Sequence, residues 1–325
     1  MVVLLAALNH TRLTKSAPLI AGAFFCLLAG CSSLTPQATQ LRDTLAPALR
    51  ERVELTQVPF FPQSEYQCGP AALATVLNTY GVKVTPEDLV PEVYLPARRG
   101  SLQIEMLAAA RRHGLVSYQL APRFADLLRE IAAGNPVIVL QNLGLSDGWH
   151  YAVAVGYDYD WGKVYLRSGE NERQAMPFFL HEFVWLRSGY WAMVAMPPER
   201  IPASADEGRW LAAIAALEHA GDARAARTAY QTFLRRWPSN VNAAIGLANT
   251  HHTLGELKEA ESVLRGAQAS SPESVVVLNN LAQTLSDQGR DTEALPIIER
   301  AARLGGPFSA AVEDTKRGIE KKLGR

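Results

Sequence analysis

Three glycines, Gly221, Gly255 and Gly289, stand 34 residues apart, and no other feature constrains the fold of the C-terminal part as strongly. Ala226, Ala260 and Ala294 repeat at the same step, as do Tyr230, Leu264 and Ile298 and, less uniformly, Ala213, Leu247 and Leu281. That period fits a helix–turn–helix unit stacked on copies of itself, because one such unit cannot bury its own apolar face. The glycine marks the turn between paired helices and the alanine lets the two helices approach. Pro238 and Pro272 stop the second helix of their units.

The pattern resembles the tetratricopeptide repeat. Residues 207–325 hold about three repeats and a capping helix over Ser309–Leu323. Lys316, Arg317, Lys321 and Lys322 make that last helix a solvated cap. The resemblance implies a concave face that holds a peptide or a partner protein, with a plain scaffold or dimerisation role as the alternative. The proline-containing stretch from Pro197 leads into a linker at 201–206.

The 325 residues allow two domains and a leader. With 48% hydrophobic and 20% charged residues the chain reads as globular. Its zero net charge and pI near 7.1 offer no electrostatic case for nucleic acid or for a basic membrane-surface patch.

Arg12 and Lys15 precede an apolar run, Ala17–Leu28, that is too short to span a bilayer comfortably and ends in Leu28-Ala29-Gly30-Cys31. This resembles a bacterial lipoprotein signal. It implies a signal peptide over 1–30, cleavage before Cys31 and diacylglyceryl attachment to the Cys31 sulfur. Ser32 and Ser33 follow where an aspartate would favour the inner membrane. The expectation is an outer-membrane lipid anchor facing the periplasm, with 31–55 as a polar tether holding at most one short helix. Of the three cysteines, Cys26 and Cys31 fall in this leader. Cys68 is then the lone thiol, without a disulfide partner in the chain.

Residues 56–200 form the other domain. Val58–Pro62 is extended because its prolines disfavour helix at the residues before them. Ala71–Tyr80 is a helix, with Ala72, Val76 and Tyr80 on one face and Gly81 after its end. Thr85 caps a helix with an acidic first turn, Ser101 precedes a helix over Leu102–His113, and Ala125–Ala133 ends at Gly134. Pro136–Leu140, Trp149–Tyr157, Lys163–Arg167 and Tyr190–Met196 read as strands, with a turn at Asp158–Gly162. Helices followed by a mostly antiparallel sheet make an α+β domain. Trp149, Trp161, Trp185 and Trp191 are expected to pack the core or its edge.

Cys68 opens the helix in Gln63-Ser-Glu-Tyr-Gln-Cys68-Gly69-Pro70-Ala71-Ala72, five residues after Gln63. A cysteine at a helix N-terminus feels the helix dipole, which lowers its pKa toward thiolate. About 80 residues later His150 opens the strand Trp-His-Tyr-Ala-Val-Ala-Val. The order and the motif resemble the double-glycine leader peptidases, the papain-like bacteriocin-processing cysteine peptidases. The resemblance implies a papain-like fold, Cys68 as nucleophile, His150 as general base and then acid, and Gln63 as oxyanion-hole donor. Those roles match what acyl transfer needs: a thiolate, a proton shuttle titrating near neutrality, and a donor aimed at the developing oxyanion. The Cys68 backbone N–H is a second candidate donor, and the Gln67 amide is a rival to Gln63.

The chain departs from that family at one point. The slot for the aspartate that orients the histidine falls on Ser168, which brings no charge; Glu170 and Asn171 stand just beyond it. His113, His181, His219, His251 and His252 show no paired cysteine or carboxylate spacing. No Cys-x-x-Cys, His-Glu-x-x-His, phosphate-cradling glycine loop or Gly-x-Ser-x-Gly occurs, so neither a metal nor a cofactor is expected. The leading expectation is a lipid-anchored periplasmic cysteine peptidase acting on a peptide or protein. The alternatives are a binding or assembly protein that has lost hydrolysis, and an acyltransferase or transpeptidase using the same dyad.

Overall fold

The computed structural model describes residues 35–43, 49, 52–62, 67–144 and 148–325. The leader, Cys26, Cys31 and Gln63 lie outside them. No described helix is long and apolar enough to cross a membrane.

The first domain runs α1 (Pro36–Asp43), β1 (Arg52–Glu54), α2 (Cys68–Thr79), α3 (Pro86–Val93), the short strands β2 (Tyr94–Leu95) and β3 (Gly100–Ser101), α4 (Gln103–Arg112), β4 (Val116–Gln119) and α5 (Phe124–Ala132). It continues through β5 (Val137–Asn142), β6 (Trp149–Asp158), β7 (Lys163–Ser168), β8 (Asn171–Pro177), α6 (Phe178–Trp185) and β9 (Ala192–Met196). Seven strands form one sheet in the order β4-β9-β5-β6-β7-β8, with β1 also paired to β6. Every pairing is antiparallel. Its central strands β9, β5, β6 and β7 are buried on both faces. Ile138, Leu140, Tyr151, Val153 and Val155 pack against α2, α3 and α4. Val139, Ala152, Ala154 and Leu166 pack against α5 and α6.

The expected signals for the helices hold with one change. Thr85 and Asp88 form a reciprocal capping box on α3. Gly81, Gly114 and Gly134 follow their helices with φ of +85°, +76° and +84°. Ser101, however, caps nothing: Leu102 is the N-cap residue of α4 and makes no side-chain cap bond, because Ser101 is paired with Tyr94 in the β2–β3 ladder. β4, β8 and α6 went unread in the sequence. β8 alternates too weakly for a strand, and Phe178–Trp185 is apolar nearly all round. The tryptophans divide: Trp185 and Trp191 are core, but Trp149 and Trp161 are 56% and 75% exposed.

The stretch read as a tether, 31–55, holds two docked elements among its described residues. β1 pairs with the end of β6. Gly156 makes this possible, since a Cβ there would stand 2.7 Å from the Val53 carbonyl oxygen. α1 starts on a buried carboxylate. The N–H groups of Gln37 and Ala38 donate to Glu182 at 3.0 and 2.6 Å, and the Tyr190 hydroxyl donates to it at 3.1 Å. A helix N-terminus and a buried acid thus satisfy each other.

Three helix pairs follow: α7 (Glu207–His219) with α8 (Ala223–Arg236), α9 (Val241–Thr253) with α10 (Leu257–Ser270), and α11 (Val275–Asp287) with α12 (Asp291–Leu304). α13 (Ser309–Lys322) closes the stack. Gly221, Gly255 and Gly289 have φ of +97°, +75° and +76° at the turns, and Ala226, Ala260 and Ala294 are fully buried. Lys322 donates to the Ser286 hydroxyl and carbonyl at 2.9 and 3.2 Å, so the capping helix also ties down the end of α11. The linker at 201–206 is fixed rather than loose. Buried Glu130 accepts from the Ser204 N–H and hydroxyl, each at 2.6 Å, and the Asp206 N–H donates to the Tyr118 hydroxyl at 3.2 Å. Trp210 then packs edge-on to Tyr118 at 5.7 Å, joining the first repeat to the core of the sheet domain.

Candidate active site

Cys68 is the first residue of α2, and the rest of that helix from Gly69 to Leu77 is buried against the sheet. Gly69 is required where it stands: a Cβ would lie 2.2 Å from the Ser101 hydroxyl oxygen, so β3 closes directly over the helix start. The Tyr151 hydroxyl donates to the Ser101 carbonyl at 3.2 Å and holds that crossing in place.

The sulfur of Cys68 sits among backbone donors. Burial pushes the thiol pKa up, and the N–H groups of Tyr151, Gly69 and Cys68 itself pull it back only in part. The helix dipole alone would lower it. The net direction is upward because the first turn of α2 is enclosed by β3 and β6, and desolvation outweighs the donors. The Tyr151 N–H also locates the sulfur: it lies at the peptide joining His150 to Tyr151.

His150 opens β6 opposite Gln141 of β5. Its Nε2 lies 2.9 Å from the Ser168 hydroxyl oxygen. Ser168 is buried at the end of β7, where the β7–β8 turn runs through Gly169 at φ +59°. The structure therefore puts Ser168 on the imidazole, while Glu170 in the turn and Asn171 at the start of β8 are exposed. His150 and Ser168 meet from two strands, the start of α2 brings Cys68 to the backbone N–H of Tyr151 beside them, and Gln63 lies outside the described residues. Gln67 is the N-cap residue of α2 and makes no side-chain cap bond.

Tyr151 was not singled out in the sequence, and Ser101 was read only as a helix start, not as part of the site. The signal for them was Gly69: a glycine directly after a helix-borne cysteine implies a backbone or side chain packed against it. Gln141 and His181 were missed for a different reason, since only the three-dimensional register joins them. Gln141 Nε2 lies 3.1 Å from His181 Nδ1. His181 is wholly buried, and desolvation holds its pKa down at about 3, so it is neutral. Three of the remaining histidines do meet carboxylates, contrary to the spacing argument. His113 lies 2.9 Å from Glu92, His251 2.6 Å from Glu256 and His252 2.8 Å from Asp287. They brace helix ends and pairs. No group of three or more His, Cys, Asp or Glu able to hold a metal occurs among the described residues.

Residues 55–192 match the family model described as the Peptidase C39 like family. Residues 211–275 and 275–305 match tetratricopeptide repeat models. Over 114 residues the chain is 34% identical to a probable biofilm formation methyltransferase, WspC, of Pseudomonas putida, covering 34% of this chain and 27% of that protein. The chain thus spans about a quarter of the length of that curated relative. A Bacillus anthracis protein described as a C39-like peptidase is 19% identical over 45% of this chain and 98% of its own, with a TM-score of 0.39. A double glycine motif protease from an AMS/PCAT transporter, solved with its leader peptide, is 22% identical over 45% of this chain and 94% of its own, with a TM-score of 0.34. A thermophilic tetratricopeptide protein of Thermus thermophilus is 23% identical over 37% of this chain and 66% of its own, with a TM-score of 0.34.

Proposed function

We propose, for a chain that carries a C39-like peptidase domain followed by tetratricopeptide repeats, that Cys68 and His150 cleave a peptide bond through an acyl-enzyme. The observation that carries this reading is the pairing of His150 Nε2 with Ser168 while the Cys68 sulfur meets the His150–Tyr151 peptide. With Nε2 engaged by Ser168, Nδ1 is the nitrogen assigned to the thiol. The Cys68 proton passes to His150, and the sulfur attacks the substrate carbonyl carbon. The carbonyl oxygen takes the negative charge, for which the Cys68 N–H and Gln63 are the assigned donors. His150 returns the proton to the leaving amine as the C–N bond breaks, and water then hydrolyses the thioester. A neutral thiol at rest makes the histidine essential, because proton transfer must create the thiolate that burial disfavours. The repeats recruit the substrate or a partner protein. Cys31 carries the lipid anchor, and the protein acts in the cell envelope, at the outer membrane facing the periplasm.

The uncharged Ser168 supports a second reading, in which the dyad is too weak to hydrolyse and the domain binds or transfers an acyl group to an amine. Two measurements separate these readings. Trapping of an acyl-enzyme on Cys68 with an activated ester, followed by turnover in water and loss of both in Cys68→Ala, supports hydrolysis. An acyl-enzyme that forms but leaves only when an amine is added sinks hydrolysis and favours transfer. Equal cleavage by wild type and Cys68→Ala overturns the nucleophile altogether. Ser168→Asp restores a charge beside the imidazole and is expected to raise the acylation rate by roughly tenfold or more.

A further inference from the structure

A second site lies away from Cys68, where the sheet domain meets the first repeat. A cavity of about 470 Å³ opens between α4, the edge strand β4, Tyr190 and α7. Arg111 and Arg209 line it from opposite domains, with Ser117, Tyr118 and Ala213. No described carboxylate lies within 4.0 Å of either guanidinium, whereas Arg227, Arg265, Arg290 and Arg317 of the repeats each meet one. The Arg111 Nε is buried and has no hydrogen-bond partner. The Ser117 hydroxyl oxygen is likewise unpartnered, in a residue only 1% exposed.

The nearby acids are committed elsewhere. Asp206 accepts from the Arg209 N–H at 3.1 Å and Asp222 from the Ala225 N–H at 2.9 Å, each capping its own helix. The Tyr118 hydroxyl is held by Ser204 and Asp206. A half-buried cation and a buried hydroxyl that both lack partners are costly unless something supplies acceptors. Guanidinium groups match the planar, two-oxygen geometry of carboxylate and phosphate.

We propose that this cavity binds an oxyanion, a carboxylate or phosphate on a small part-apolar ligand, held by Arg111 and Ser117 from the sheet domain and by Arg209 from the first repeat. The site needs both domains, so the ligand also reports on their docking. It is independent of the chemistry at Cys68.

The test is calorimetric titration of the full chain at low salt with N-acetyl-leucylalanine as the free acid, with its C-terminal amide, and with inorganic phosphate. Saturable binding of the free acid or of phosphate is expected, with none for the amide. Binding of the acid alone identifies a peptide C-terminus as the source of the oxyanion, and binding of phosphate alone a phosphorylated ligand. Arg111→Gln is expected to weaken binding at least tenfold and to raise the Tm of the ligand-free chain, since it removes an unpaired cation. Arg209→Gln, at an exposed position, weakens binding without touching the fold and keeps the test open if Arg111→Gln does not fold. Failure of both anions to saturate the wild type overturns the proposal, as does unchanged affinity in both arginine variants.

Discussion

The sheet domain and the repeats solve the same problem, placing carboxylates, in opposite ways. The sheet domain buries Glu130 and Glu182 completely. Glu182 is satisfied by residues 145 and 144 positions earlier in the chain, and Glu130 by one 74 positions later. The repeats keep their carboxylates near the surface. Glu261 takes hydrogen bonds from Arg265, Gln288 and Arg290, all of the same or the next repeat. The first arrangement makes distant segments depend on one another. The second sums interactions between neighbours, as expected for a stack.

The largest expected effect falls on Glu182. Glu182→Leu leaves the Gln37 and Ala38 N–H groups and the Tyr190 hydroxyl without their acceptor. Buried donors left unmatched cost about 1–3 kcal/mol each, so a loss of roughly 3 kcal/mol or more is expected. Denaturant unfolding measures it, and hydrogen exchange should show α1 released first. An α1 that stays protected would mean that apolar contact through Ala38 and Leu41 holds it instead.

Acid should separate the two regions next. His181 is neutral in the folded state with a pKa near 3, against about 6.5 when unfolded. The unfolded chain binds the proton more readily, so stability is lost as pH falls from about 6.5 toward 3, at about 1.4 kcal/mol per unit. At pH 5 this amounts to roughly 2 kcal/mol, all in the sheet domain. In the repeats burial pushes the Glu261 pKa up, but the Arg265, Arg290 and Gln288 hydrogen bonds outweigh it and hold it near 2. Its contribution is full above the ordinary carboxylate range and fades only as pH falls through that range toward 2. Hydrogen exchange at pH 7 and pH 5 should therefore weaken protection in β5 and α6 and spare α9 to α12. His181→Gln should remove the difference. Equal weakening of both regions would break the contrast.

Within the repeats Glu261→Gln comes third, at about 1 kcal/mol, because its partners are largely solvated and Gln keeps an acceptor. Thermal unfolding of the variant measures it; a loss as large as that of Glu182→Leu would show that the stack is not a sum of local terms.

The same contrast decides what was legible beforehand. Gly221, Gly255 and Gly289 announced the stack because every contact they imply recurs at one spacing, and the three helix pairs appeared as expected. Cys68, His150 and Ser168 were named through motif and order, and of that set the Ser168 hydroxyl meets the imidazole. The docking of α1 was not, since nothing near Pro36 signals a carboxylate at position 182. The direction of the Cys68 pKa shift was missed for a related reason. A helix dipole is visible in local sequence, but the enclosure by Ser101 and Tyr151 comes from chain 33 and 83 residues away. Gln141 and His181 failed likewise: each reads as an ordinary polar residue until β5 and α6 are in place.

The smallest expected effect tests the other end of the comparison. Asp314 and Arg317 pair on α13 with side chains 69% and 68% exposed. An exposed pair three residues apart gains little, because water screens it and two long side chains must be ordered to make it. Arg317→Ala should change stability by less than about 0.5 kcal/mol. Lys322→Ala on the same helix should do more, since its ammonium caps α11 through Ser286 and lies 3.8 Å from Asp287. Thermal unfolding of the two variants side by side decides whether α13 stabilises the stack through its charge or through its contact with the last pair. Equal losses would assign the effect to charge. A loss confined to Lys322→Ala would assign it to the cap, and would mean that even in the repeats the interactions that count are those reaching out of their own helix.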